Sequence, residues 1–207
     1  MNLLELFAGH RCIGIEAEKL NFNVFSVDWK PYKNINLVKD IEFLQADEIP
    51  FIPDVIWASP DCTTYSIAQA GYHRKGQKPL TEYAVKSDRI NIKLWELIDF
   101  YSKLNPDLTY FIENPMGLMR KMDFTLFKQK TTIWYCRYGD FRAKPTDIWT
   151  NSIKWKPRPP CSNNNKFCQH ERCPRSSDNT GTIKLKKEAR SYIPEQLCIE
   201  ILKSTLI

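Results

Sequence analysis

Four residues that could take part in chemistry come just after apolar runs of the sequence. They are Gly9, Asp28, Cys62 and Glu113. In an open parallel sheet, ligands bind beyond the carboxyl ends of the strands, so residues that follow strands are the ones best placed to form a site. If these apolar runs are strands of one sheet, the four residues meet at one edge of it.

Gly9 and Asp28 suit a nucleoside-containing cofactor. A glycine after the first strand lets the backbone approach a ligand, and an acid after the second strand can accept hydrogen bonds from the two hydroxyls of a ribose. The stretch from Phe7 to Gly14 is not a G-x-G-x-x-G fingerprint. A glycine in a tight turn and an aspartate capping a strand end are the alternative interpretation.

Cys62 and Glu113 are candidates for nucleophilic and acid–base chemistry. Cys62 follows Ser59-Pro60-Asp61 on a loop, where a thiol faces a pocket, and Glu113 brings a carboxylate to the same cleft. The alternatives are a small core cysteine and a solvated or capping glutamate.

A second cluster, Cys161-x6-Cys168-x-His170-x2-Cys173, places four soft ligands within 13 residues. In a segment with few apolar residues, such a set predicts a tetrahedral structural zinc, and polar-loop cysteines without a metal are the alternative. Basic residues surround the cluster, where they could contact phosphates or could simply be solvated: Arg158, Lys166, Arg172, Arg175 and Lys184.

The elements that carry these residues alternate between strands and helices. Apolar runs at 3–7, 23–27, 54–58 and 109–112 predict strands, and apolar spacing over 90–104 predicts a helix before the last of them. This alternation predicts an α/β fold with a mostly parallel sheet and helices on both faces. Further signals predict an edge hairpin from 131–136 and 147–150, and a closing helix with Pro194 in its first turn.

The positive charge is unevenly distributed. The chain has a net charge of +6; residues 1–150 carry 19 basic and 19 acidic side chains, whereas residues 151–207 carry 11 and 5. This excess predicts a polyanion partner such as nucleic acid, with a solvated basic tail as the alternative. Because no apolar run reaches the ~18 residues of a membrane span and the start lacks a secretory signal, we expect a cytoplasmic protein with no membrane partner and reduced cysteines.

A composition change marks a boundary in the chain. Lys156-Pro157-Arg158-Pro159-Pro160 cannot form a helix or a central strand. We therefore predict a catalytic and cofactor-binding domain over 1–155, a small basic target-recognition segment over 156–185, and a closing helix over 186–207 that returns to the first domain.

Several motifs resemble, in the same order along the chain, those of the cytosine-C5 DNA methyltransferases, which use S-adenosylmethionine. They are Leu6-Phe7-Ala8-Gly9, Asp40-Ile41, Pro60-Asp61-Cys62-Thr63-Thr64-Tyr65-Ser66, Arg89 ahead of the long helix, Phe111-Ile112-Glu113-Asn114-Pro115, Tyr138-Gly139 with Arg142 and Lys144, and Tyr192-Ile193-Pro194. The resemblance covers about 1–150 and 186–207. It departs from the family pattern in the opening loop, which lacks the family's further glycines and has Arg11 and Cys12 near their positions. It also departs where Asp61 replaces a proline and where Thr63 replaces a glutamine.

The resemblance implies a Rossmann-like class I methyltransferase that methylates carbon 5 of a flipped cytosine in double-stranded DNA. It assigns catalysis to Cys62, Glu113 and Arg142, and assigns S-adenosylmethionine binding to Phe7, Ala8, Gly9, Asp28, Trp29, Asp40, Ile41 and Pro60. Only about 35 residues stand where the family keeps a target-recognition domain. A compact monomer of a bacteriophage type, working in a bacterial or infected cell, is therefore expected.

Three other functions remain open from the sequence. Ser59-Pro60-Asp61-Cys62 meets half of the motif of the amino-methyltransferases that act on DNA or RNA bases. The second alternative is an inactive methyltransferase fold that binds DNA through a zinc-stabilised module, and the third is an RNA substrate. Retention of both Cys62 and Glu113 favours the cytosine-C5 enzyme, because DNA binding alone requires neither.

Overall fold

The computed structural model describes residues 1–162, 170 and 191–206. Nine strands are present in this part of the chain: β1 (Asn2–Leu6), β2 (Asn23–Asp28), β3 (Leu37–Val38), β4 (Val55–Ala58), β5 (Arg74–Lys75), β6 (Lys78–Pro79), β7 (Thr109–Pro115), β8 (Lys130–Trp134) and β9 (Pro145–Thr150). The α-helices of the same part are α1 (Cys12–Lys19), α2 (Glu82–Leu104) and α3 (Glu195–Thr205). Short 3-10 helices include Thr63–Tyr65 and Tyr135–Tyr138.

Seven strands form one sheet in the order β3-β2-β1-β4-β7-β9-β8. The first five are parallel, and β9 runs antiparallel to both β7 and β8. In the centre, Leu4 of β1 pairs with Phe25 of β2 and Ile56 of β4. The predicted mostly parallel sheet with an edge hairpin is confirmed.

Helices cover both faces of the sheet, as predicted. On one face, Leu3 packs in a buried cluster with Ile13 of α1 and with Leu197 of α3. On the other, Leu4 belongs to a cluster with Leu94 of α2. Strands covered on both sides need apolar residues at successive positions, which explains the continuous apolar runs of the sequence.

Three boundaries differ from the sequence-based expectations. Helix α2 begins at Glu82, because the Thr81 hydroxyl accepts a hydrogen bond from the Ala84 N–H at 3.2 Å and caps the helix. Arg89 therefore lies inside the long helix rather than ahead of it. Strand β7 continues through Glu113, because β9 pairs alongside it.

The closing helix begins at Glu195, with Pro194 as its N-cap rather than in its first turn. Most of the predicted segment 156–185 lies outside the described residues. In the part of the chain that the structure covers, no helix is long and apolar enough to cross a bilayer.

Candidate active site

The loop after β4 positions Cys62. Pro60 of this loop is buried, and the Pro60 carbonyl accepts a hydrogen bond from the side-chain amide of Asn114 in β7 at 2.9 Å. The Asp61 carboxylate accepts bonds from the Thr63 N–H at 3.2 Å and the Thr63 hydroxyl at 2.7 Å. These bonds fix the turn in which Cys62 precedes the 3-10 helix Thr63–Tyr65. The half-buried thiol is thus tied to the neighbouring strand.

Glu113 lies on β7 and is 5% exposed. Its Oε1 accepts a hydrogen bond from the Tyr135 hydroxyl at 2.7 Å and lies 3.6 Å from the Lys144 ammonium nitrogen. Lys144 also lies over the Tyr135 ring, 4.4 Å from its centroid. Among the described residues, no side chain or backbone group donates a hydrogen bond to the second oxygen, Oε2. One oxygen is therefore held in place while the other can bind a ligand.

The surroundings of Cys62 disfavour its thiolate. Burial and, to a smaller extent, the nearby carboxylates of Asp61 and Glu113 together raise the pKa of Cys62 to about 11, and Lys144 acts in the opposite direction. At neutral pH the resting thiol is protonated. The charges of Glu113 and Lys144 both act on Cys62, so these three groups lie near one another.

The loop after β1 forms the neighbouring part of the same edge. Phe7 and Gly9 have positive φ angles of 56° and 49°, so the chain turns sharply there. Asp28 accepts hydrogen bonds from the Gly9 N–H and the Lys30 N–H, each at 2.9 Å. A small cavity of about 70 Å³ is lined by Phe7, Ala8 and Gly9, together with Ser59 and with Ile193 from the segment before α3.

These residues fit a nucleoside-containing cofactor. Each Asp28 oxygen accepts one N–H, and a carboxylate can accept about four bonds, so acceptor capacity remains for ribose hydroxyls. The next residue, Trp29, is 63% exposed and offers a flat aromatic face beside that carboxylate.

The second acidic turn lies after β3. Asp40 caps the 3-10 helix Ile41–Phe43 by accepting a bond from the Glu42 N–H at 3.1 Å, and it pairs with Lys86 at 2.6 Å. Ile41 is buried. The predicted cofactor residues thus follow β1, β2, β3 and β4 of the parallel sheet.

Arg142, predicted to be catalytic, lies near the Glu113–Tyr135 pair, 5.8 Å from the centroid of the Tyr135 ring. Its Nε donates to both Asp140 oxygens, at 2.9 and 3.0 Å, and its Nη2 donates to the Tyr192 carbonyl at 3.1 Å. This pairing with Asp140 raises the pKa of Arg142. Lys144, two residues later, is the cation that approaches Glu113.

Sequence reasoning gave no site role to Tyr135 or Lys144. One signal was available for Tyr135: β8 runs in the same direction as β7, so its end reaches the edge where Glu113 lies. Lys144 was included in a motif without an assigned function. Its contact with Glu113 arises because it directly precedes β9, the strand that pairs with β7.

The structure describes two of the four predicted metal ligands, Cys161 and His170. Cys161 Sγ lies 3.7 Å from His170 Nδ1. Cys136, which the sequence did not single out, joins them, and the ligand atoms of these three residues all lie within 4.8 Å of one another. The chain therefore has a possible Cys/His metal site. Cys168 and Cys173 lie outside the described residues.

Comparisons with known proteins agree with the sequence motifs. No family model matches the chain. A "Probable DNA (cytosine-5)-methyltransferase" of Frog virus 3 (isolate Goorha) is 26% identical over 201 residues, which cover 85% of this chain and 82% of that protein. This similarity to a viral protein confirms the resemblance to the cytosine-C5 methyltransferases.

Solved structures with similar folds are longer proteins. Schizosaccharomyces pombe Dnmt2 matches with a TM-score of 0.49 and 12% identity, over 79% of this chain and 52% of that one. A putative DNA modification methyltransferase from an Escherichia coli prophage matches with a TM-score of 0.45 and 14% identity, over 78% and 52%. A Spodoptera frugiperda DNMT2 mutant matches with a TM-score of 0.47 and 19% identity, over 76% of this chain and 53% of that one. The chain spans about half the length of these structures.

Proposed function

We propose that this chain transfers a methyl group from S-adenosylmethionine to carbon 5 of cytosine in double-stranded DNA. The observation that carries the proposal is the meeting of Cys62 and Glu113 at the ends of the neighbouring strands β4 and β7. The similarity to the viral cytosine-5 methyltransferase supports the same reaction.

Cys62 acts as the nucleophile in this reaction. Carbon 5 of cytosine is a weak nucleophile until a thiolate adds to carbon 6, which places electron density on carbon 5. When bound, S-adenosylmethionine supplies an electrophilic methyl group. Loss of the proton from carbon 5 to water then lets the ring re-form its double bond and expel the thiolate of Cys62. The thiolate takes up a proton, which regenerates the resting thiol.

Glu113 stabilises the base while Cys62 is attached. Its unengaged Oε2 can share or donate a proton to ring nitrogen 3, which offsets the negative charge that develops in the ring. Tyr135 and Lys144 hold Oε1, so they act as positioning residues for this carboxyl. The high pKa of Cys62 fits a thiol that stays unreactive until a cytosine binds beside it.

A cytosine inside a duplex must leave the stack to reach Cys62. Such flipping costs a few kcal/mol, which contacts with the base and the backbone offset. The excess of basic residues over 151–207 supports DNA as the partner.

The cofactor-binding role extends to the predicted set Phe7, Ala8, Gly9, Asp28, Trp29, Asp40, Ile41 and Pro60. The remaining acceptor capacity of Asp28 and the exposed ring of Trp29 support it. Arg142 joins the loop over 140–142 to the segment before α3 through the Tyr192 carbonyl, and its charge acts on Glu113, which supports its predicted catalytic role. A structural zinc that orders the basic segment completes the proposal, supported by the proximity of Cys161 and His170.

Incubation of duplex DNA with tritiated S-adenosylmethionine, followed by nucleoside analysis, tests this function. We expect 5-methylcytosine as the product. Cys62→Ala should abolish transfer while S-adenosylmethionine still binds, and DNA that contains 5-fluorocytosine should form a covalent adduct only with a protein that keeps Cys62.

Cys198→Ala serves as the matched control, because this cysteine lies on the buried face of α3. It should keep both transfer and adduct formation. Methylation of an exocyclic amine, or transfer to RNA alone, would contradict the proposed reaction. Substantial turnover in Cys62→Ala would contradict the role of the thiol.

A further inference from the structure

Cys136 belongs to the catalytic part of the chain, yet its sulfur lies beside Cys161 and His170. It sits in the 3-10 helix Tyr135–Tyr138 that follows β8 and is 5% exposed. Cys161 follows the proline-rich boundary, and both it and His170 are half-buried. One metal ligand from the catalytic part of the chain and two from the segment after the boundary therefore lie close together.

The spacing of their ligand atoms suits a tetrahedral zinc. Zinc binds thiolates at about 2.3 Å and imidazole nitrogen at about 2.0–2.1 Å, which separates ligand atoms by about 3.5–3.8 Å. The 3.7 Å between Cys161 Sγ and His170 Nδ1 matches this value, and all three ligand atoms lie within 4.8 Å of one another. Sulfur and nitrogen ligands together favour zinc over magnesium or calcium, which prefer oxygen.

We propose that Cys136, Cys161 and His170 bind a structural zinc ion. This set differs from the one expected from spacing alone, which took all four ligands from 161–173. With Cys136 as a ligand, the metal joins the chain after Pro160 to the catalytic domain.

The metal would then brace the turn that supports Glu113. Tyr135, whose hydroxyl donates to Glu113, directly precedes Cys136. The same turn is held from the other side by Arg158, whose N–H donates to the Tyr138 hydroxyl at 3.0 Å and whose Nη1 donates to the Arg137 carbonyl at 2.5 Å. This consequence for catalysis rests on the proposed function, whereas the metal site does not.

Metal analysis of the full chain and of single variants tests the ligand set. The wild-type protein should retain about one zinc per chain after gel filtration. Cys136→Ala, Cys161→Ala and His170→Ala should each lose it, and Cys198→Ala should keep it. Stoichiometric zinc in Cys136→Ala would overturn the assignment, as would a wild-type chain without zinc.

Alkylation of the wild-type protein, read by mass spectrometry, avoids the question of whether a variant folds. Chelation should raise labelling of Cys136 and Cys161 together, while the core residue Cys198 stays protected. A rise at Cys161 with none at Cys136 would overturn the proposal. Labelling of Cys198 would show general unfolding, in which case zinc added back must restore protection at Cys136 for the proposal to stand. Because neither assay uses methylation, failure of the metal site is distinguishable from failure of the proposed function.

Discussion

The protonation of Cys62 can be changed without altering the thiol, by replacing its neighbour Asp61 with asparagine. The Asp61 charge is the second contribution, after burial, to the pKa of about 11. An asparagine keeps an oxygen that can accept the bonds from Thr63, so the turn is retained. Because a negative neighbour disfavours a thiolate, its removal lowers the pKa of Cys62 and raises the thiolate population at any fixed pH below that value.

The size of the effect follows from these values. At pH 8 a thiol of pKa about 11 is roughly 0.1% ionised, against roughly 10% at the ordinary value of 9.0, so the thiolate population of Cys62 is about 100-fold smaller than that of an ordinary thiol. Asp61 is exposed, and a unit charge in water at close range contributes about 1 kcal/mol. Asp61→Asn should therefore increase the rate of Cys62 alkylation about fivefold.

The assay is the pH dependence of iodoacetamide labelling at Cys62, followed by peptide mass spectrometry. Asp107→Asn is the matched control, since Asp107 is also exposed but precedes β7 at the opposite edge of the sheet. It should leave the rate unchanged. A wild-type labelling midpoint near 9, or an unchanged rate in Asp61→Asn, would refute the reasoning.

Three further substitutions probe other groups. Burial raises the pKa of Glu5 to about 7 from 4.5, so its folded form retains a proton that the unfolded chain loses; stability should fall by about 3 kcal/mol as pH rises through that window. Urea unfolding should show that Glu5→Gln loses this pH dependence. A variant whose stability falls with pH as steeply as that of the wild type would contradict the prediction. Tyr135→Phe removes the bond to Glu113 and should lower kcat about tenfold with S-adenosylmethionine affinity unchanged. Asp28→Asn leaves one N–H partner unpaired and should weaken S-adenosylmethionine binding by about 1–3 kcal/mol, as calorimetry would measure.

Most of the sheet could be predicted from the sequence, because each central strand is an apolar run bounded by turn residues. Strands β1, β2, β4 and β7 and the hairpin of β8 and β9 were all predicted in this way. Strand β3 and the β5–β6 pair were missed, since two-residue strands have no periodicity to detect. The first turns of α2 were missed because they are largely polar and only Thr81 signals the start.

The candidate site was predictable where it depends on strand ends. Cys62 and Glu113 lie at one edge because parallel strands end together, although their chemical roles remain predictions. For Tyr135 the direction of β8 indicated the edge of the sheet but not the contact with Glu113, and Cys136 gave no signal, because both contacts depend on how one 3-10 turn rotates after β8. Contacts between residues far apart in sequence, such as Cys136 with Cys161, leave no local pattern.

The buried clusters on the two faces of the sheet are completed at different times during protein synthesis. The cluster under α2 takes its buried residues from Leu4 to Trp149, whereas the cluster under α1 is covered by Leu197 and Ile201 of α3. At a synthesis rate of about 5–20 residues per second, the second face stays open for several seconds after the residues of the first are complete. During that interval the face of the sheet that carries α1 lacks the apolar cover of Leu197 and Ile201.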